Sequence, residues 1–257
     1  MREEKVIESY TGVTPERKHS KIPAKLDFYQ SATGLFLALF MIAHMFFVSS
    51  ILLGKEAMYT ITKFFEADFL FEGGKPIIVS VIAAIVIIAF VTHAFLAVRK
   101  FPINYKQLLS FKVHKDLMKH GDTSYWGLQV LTGFALFFLG SIHLYIMLTK
   151  PDTIGPSTSA YRFVQDHFWL LYLVLLVAVE IHGSVGLYRL CIKWGWFEGL
   201  GIKTLRAIKM GMTIFFLALG ICTYVAYVSI GLEQDPQKTL QDYKAQDMQD
   251  FGKKENK

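Results

Sequence analysis

Cysteine is almost missing from this sequence: there are two in 257 residues, Cys191 and Cys222, both within apolar segments. No CxxCH occurs, which excludes a covalently attached c-type haem. No CxxC pair occurs either, so neither a zinc nor an iron–sulfur site is expected. The two thiols read as small buried side chains. Charge is also sparse, at 19% of residues against 53% hydrophobic. With a mean hydropathy of +0.37, that balance excludes a disordered chain and an ordinary soluble domain. Residues 1–30 are polar and charged, so no signal peptide is expected before the first apolar run.

What is abundant is long apolar sequence. Crossing a bilayer takes roughly 20 apolar residues. Five runs reach that length, at 31–53, 77–98, 125–148, 168–192 and 210–230. The expected fold is an all-α integral membrane protein of five transmembrane helices. We expect a single membrane domain over 1–257, with no fixed-period repeat and a weakly ordered polar tail at 231–257. The stretch 54–75 is aromatic (Phe64, Phe65, Phe69, Phe71) and is expected at the outer membrane interface. The stretch 102–121 is basic and is expected as a helix along the inner surface.

The net charge of +6 reflects topology rather than nucleic-acid binding. Arg2, Lys5, Arg17, Lys18, Lys21 and Lys25 precede the first run. Arg99, Lys100, Lys106, Lys112, Lys115 and Lys119 follow the second. Arg189, Lys193, Lys203, Arg206 and Lys209 surround the fourth-to-fifth connection. The other two connections hold only Lys55, Lys63 and Lys75, and Lys150 and Arg162. The positive-inside rule places the 1–30 arm in the cytoplasm, and five spans place the tail in the periplasm.

Eight histidines are many for so apolar a chain. His19, His114, His120 and His167 lie outside the runs or at their edges and receive no role. His44, His93, His143 and His182 fall one in each of the first four runs. An ionisable side chain within hydrocarbon is costly and marks a candidate functional site. At 1.5 Å per residue, His44 and His143 lie roughly 20 and 27 Å above the inner ends of their helices, and His93 and His182 only about 9 and 16 Å. The upper pair comes from helices one and three, and the lower pair from two and four. Paired imidazoles at one depth of a four-helix bundle can ligate a haem iron from both sides, a closed six-coordinate site suited to electron transfer. Four separate interhelical hydrogen bonds are the alternative, and a haem-free anchor or a transporter remains compatible with the same pattern. Gly34, Gly133, Gly140, Gly183 and Gly186 thin the helices near these positions, either for a planar guest or for close helix packing. Glu180, mid-span in VAVEIHG, sits about 200° around the helix from His182 and should face away from it.

The segments QSATGLFLALFMIAHMFFVSSILLG, FEGGKPI, HAFLAVRKFPINY, HKDLMKHGD, TGFALFFLGSIHLYIM and EIHGSVGLYRLCIKWGWF closely resemble the dihaem cytochrome b subunit of quinol:fumarate reductase, in its epsilonproteobacterial form. The likeness runs over residues 8–232 and fades in the tail. It implies a subunit of the bacterial cytoplasmic (inner) membrane that binds two haem b groups and oxidises menaquinol in anaerobic respiration. The partners it implies are an iron–sulfur subunit and an FAD-carrying flavoprotein that holds the fumarate site, as a dimer of heterotrimers, with no nucleic acid involved. It assigns His44 and His143 to the upper haem and His93 and His182 to the lower one. It makes Glu66 the quinol proton acceptor and Glu180 a proton-transfer group. Gln30, Ser31, Trp126 and Lys193 would meet the lower haem's propionates, and Arg162 the upper one's. The direction of turnover stays open: a succinate:quinone reductase anchor would run the reaction the other way.

Overall fold

A computed structural model describes residues 12–13, 19–101, 104–118 and 121–252. Arg2, Lys5, Arg17, Lys18, Lys119 and His120 lie outside the described residues. The described residues form nine α-helices and no strand beyond one isolated bridge between Val13 and His19. Helix α1 (Ile22–Val48) has a proline in its first turn, where the absent N–H costs nothing. It tightens into a 3-10 turn at Ser49–Leu53 and stops at Gly54, whose φ of 116° suits only glycine. The others are α2 (Lys55–Phe65), α3 (Ile77–Val98), α4 (Tyr105–Met118), α5 (Gly121–Thr149), α6 (Pro156–Val164), α7 (Trp169–Trp194), α8 (Gly201–Leu232) and α9 (Leu240–Phe251).

Five of these helices are long and apolar enough to cross a membrane. Only a helix meets all its own backbone hydrogen bonds in hydrocarbon, which is why the apolar runs take this form. The helices outrun those runs. α1 begins at Ile22 rather than 31, and α8 at Gly201 rather than 210. Hydropathy marks the lipid-facing stretch, whereas the helical ladder continues into polar sequence.

Helices α1, α3, α5 and α7 close a ring, each packed against the next and α7 returning to α1. Consecutive helices run antiparallel, so the two diagonal pairs, α1 with α5 and α3 with α7, are parallel. α8 lies outside the ring against α7 and, more lightly, α1. Short polar contacts lock it there: Thr213 Oγ1 donates to Ser184 Oγ at 2.7 Å, and Thr223 Oγ1 to Ser49 Oγ at 2.8 Å.

The 54–75 stretch and the tail differ from expectation. The 54–75 stretch is not simply a loop, because 55–65 forms α2. The tail is not weakly ordered between 240 and 251, because α9 opens on a capping box between Thr239 and Asp242 and packs against α6 and α2. The sequence TLQD carries Asp instead of the usual Glu or Gln at the third helical position, which hid the box. Its anchor is Asp247, 4% exposed, which accepts a 3.0 Å hydrogen bond from the backbone N–H of Ser157.

Candidate functional site

The ring encloses one continuous cavity of about 1730 Å³, lined by His44, His93, His143 and His182. Single-ligand pockets run to roughly 300–1,000 Å³, so this space exceeds one such site. The four histidines face one another across its diagonals. The His44 and His143 ring centres are 6.1 Å apart, and those of His93 and His182 6.4 Å. The structure thus brings together the pairs grouped by depth. Among the described residues no three His, Cys, Asp or Glu side chains converge on a point, so each pair offers two ligands from opposite sides.

Bis-imidazole ligation sets a spacing that can be checked. Two metal–imidazole bonds of about 2 Å, plus roughly 1.2 Å from each nitrogen to its ring centre, separate the centres by about 6.4 Å. Both observed spacings match. A buried polar atom points the same way: Gln30 Oε1 has no hydrogen-bond partner among the described residues. The helix surface is hollowed where the lower rings lie. A Cβ added to Gly34 would stand 2.8 Å from Cε1 of His93, and one added to Gly133 2.9 Å from Cε1 of His182. Side chains here would displace the imidazoles. The residues present therefore fit two haems.

The surroundings of the two pairs differ. His93 Nδ1 lies 3.2 Å from the Gln30 carbonyl oxygen and 3.3 Å from Thr33 Oγ1. His182 Nδ1 lies 3.0 Å from the Gln129 carbonyl oxygen and 3.4 Å from Thr132 Oγ1. The upper rings have aromatic neighbours. His44 stacks on Phe40 at 5.8 Å, and His143 meets the edge of Tyr172 at 5.8 Å.

These twin contacts lie on a short recurrence in the sequence. QSATG at 30–34 and QVLTG at 129–133 share Gln, Thr and Gly, and each glycine precedes a histidine by ten residues, at His44 and His143. Five residues in a background of generic apolar sequence make a faint signal. It becomes visible once both segments are seen holding a lower histidine. Thr33, Gln129 and Thr132 were missed for that reason.

Gln30, Ser31, Trp126, Arg162 and Lys193 all line the cavity. At the end of the cavity near His93 and His182, Asp27 meets three cations: Arg99 at 2.6 Å, Lys100 at 2.9 Å and Lys193 at 3.2 Å. One carboxylate cannot neutralise three cations, and Lys100 and Lys193 border the cavity. Lys193 Nζ also donates to Ser31 Oγ at 3.3 Å. This excess of positive charge suits anionic groups. Arg162 is buried, donating to the carbonyl and hydroxyl oxygens of Thr153.

The two glutamates are placed differently from the histidines. Glu66 ends α2 and is only 3% exposed. It accepts a 2.8 Å hydrogen bond from Lys63 Nζ. Gly74 covers it so closely that a Cβ there would stand 2.7 Å from Oε2. Its neighbours Thr62 and Phe65 line the cavity, whereas Glu66 itself sits just behind that wall. Glu180 turns away from the cavity. It borders a separate void of about 30 Å³ between α1, α7 and α8, beside Met45, Ser184 and Phe216, room for one or two waters at roughly 10–15 Å³ each.

Fold and site define a membrane-embedded helical bundle built around two facing histidine pairs. The family described as "Succinate dehydrogenase/Fumarate reductase transmembrane subunit" matches residues 110–221. The chain is 63% identical over 241 residues to the fumarate reductase cytochrome b subunit of Wolinella succinogenes, covering 92% of this chain and 94% of that one. It is 62% identical over 244 residues to the protein of that name in Helicobacter pylori strain J99, covering 94% and 96%. The chain belongs to the family of fumarate reductase cytochrome b subunits, multi-pass membrane subunits of the quinol:fumarate oxidoreductase complex.

Proposed function

We propose that this chain oxidises menaquinol at its outer side and delivers the electrons inward, toward an iron–sulfur subunit and an FAD-bearing flavoprotein that reduces fumarate. The observation that carries this reading is the diagonal pairing of His44 with His143 and of His93 with His182, each at ligation spacing, across one cavity. Two haem b groups held by these pairs would supply one-electron carriers at two depths of the membrane.

The chain's own residues provide the rest. Lys193, Ser31, Gln30 and Trp126, which line the cavity, would hold propionates at the lower level, and Arg162 at the upper. Quinol oxidation releases two protons with its electrons, so a carboxylate in reach lowers the barrier by accepting one. We assign that base to Glu66, whose carboxylate pairs with Lys63 just behind the cavity wall formed by Thr62 and Phe65. Glu180 moves a proton along the α7–α8 seam, apart from the histidines. The concentration of Lys and Arg in the connections on one side of the bundle supports an N-terminus in the cytoplasm and a tail in the periplasm. The whole chain acts as one membrane domain, in a dimer of heterotrimers.

A reduced-minus-oxidised spectrum of the purified complex tests the reading. Two b-type haems are expected. A spectrum without them would overturn it.

A further inference from the structure

We infer that Thr33 and Thr132 are positioning residues: with the carbonyls of Gln30 and Gln129, they fix which ring nitrogen of His93 and His182 is free to bind metal. The inference rests on the haem reading above and goes beyond it to the tautomer of the ligands.

The argument follows the protons. A threonine hydroxyl has one proton to donate and two lone pairs. Thr33 Oγ1 donates to the carbonyl of Tyr29 at 2.8 Å, one turn back, with the Gln30 carbonyl at 3.1 Å. Thr132 Oγ1 does the same toward Leu128 at 2.8 Å and Gln129 at 3.2 Å. With its proton committed to the helix, each hydroxyl can only accept from the imidazole beside it. The Gln30 and Gln129 carbonyls are acceptors in any case. Both polar neighbours of Nδ1 are therefore acceptors, at His93 and at His182 alike. Nδ1 must carry the ring proton, and Nε2 is left with its lone pair. That is the tautomer able to bind iron through Nε2.

The device is built twice, from the QxxTG segments of parallel helices on opposite sides of the cavity. Each segment serves the histidine of an adjacent helix: α1 holds the ring from α3, and α5 the ring from α7. Glycine follows threonine in both because the ring lies against that turn. At His143 in the upper pair, Nδ1 is buried with no hydrogen-bond partner among the described residues. Acceptors on Nδ1–H also raise the basicity of the ligating nitrogen, which favours ferric over ferrous iron.

The test uses the intact complex with Thr33→Val, Thr132→Val and the double variant. Valine keeps the shape and removes the oxygen. Each valine variant is expected to retain both haems, because the carbonyl acceptors remain. It should raise the midpoint potential of the lower haem and shift that haem's largest low-spin g value, with the upper haem unchanged. The double variant should shift further. Thr33→Ser and Thr132→Ser should restore the original values. Lower-haem potential and g value unchanged in the double variant would overturn the inference while leaving the haem reading intact. A wild-type complex lacking two b-type haems would instead defeat the reading on which it rests.

Discussion

Gly133 stands where a side chain cannot: a Cβ there would lie 2.9 Å from Cε1 of His182. Gly34 stands in the same relation to His93. Both rings are held by short contacts to backbone carbonyls and cannot simply retreat. Overpacking of this kind costs about 1–3 kcal/mol. Gly34→Ala and Gly133→Ala are each expected to lose the lower haem or loosen it, read by haem content and low-spin signal. Gly211→Ala on α8 is the control, since among the described residues nothing lies within 4 Å of a Cβ there and Gly211 does not line the cavity. Equal haem content in all three variants would contradict the cradle.

The pairing across diagonals predicts a selective effect. His44→Ala or His143→Ala should remove the upper haem and spare the lower one. His93→Ala or His182→Ala should do the reverse. Quantitative haem analysis with redox titration distinguishes the outcomes, and retention of both haems in any of the four would refute the pairing.

Glu66 and Glu180 sit on different walls, so their substitutions should be separable. Glu66→Gln is expected to lower menaquinol-driven fumarate reduction roughly 10²-fold or more, the ordinary worth of a general base. Benzyl-viologen-driven fumarate reduction should persist, because it bypasses the quinol. Lys63→Met should weaken quinol turnover less, since it removes the group that holds the base rather than the base. Glu180→Gln should slow quinol-driven turnover without loss of haem. Undiminished quinol activity in Glu66→Gln would remove Glu66 from the mechanism.

The docking of α9 should depend on pH through Asp247. Burial pushes this carboxyl up from its ordinary value, against the opposing pull of the hydrogen bonds from Ser157. A carboxyl raised in the folded state favours folding while it is protonated. Its contribution is present at low pH and lost as pH rises through the folded-state value. Protease resistance of the 240–251 segment should therefore fall from acid toward neutral pH in the wild type. Asp247→Asn still offers Ser157 an acceptor oxygen and should flatten that dependence. Superimposable pH profiles would show that Asp247 is not the titrating group.

The spans were legible because hydrocarbon permits so few backbone structures. The depth grouping of His44 with His143 and of His93 with His182 was legible because 1.5 Å per residue converts position into height. What depth could not supply was rotation about the helix axis for groups outside a strict repeat. The contacts from Thr33 and Thr132 depend on which neighbouring helix each one meets, and that is a property of the ring rather than of any segment. Asp27 was passed over for a related reason. Its three cations come from two other helix ends, around Arg99 and Lys193, and no local pattern joins them. The order of the tail was missed because α9 is polar; it holds through Asp247 and Lys244, which pair with residues about 90 positions away.

The ring has little interior of its own. Its middle is a space of about 1730 Å³ bordered by all four ring helices, where a soluble bundle would interlock side chains. Without a guest, the helices lose the dispersion contacts that close packing supplies. Any molecule that fills the space and binds only the folded chain shifts the folding equilibrium by mass action. Maturation of this subunit is thereby tied to cofactor supply: a cell short of haem would leave the chain loosely assembled in the bilayer and open to proteolytic removal, so the amount of finished protein would report haem availability.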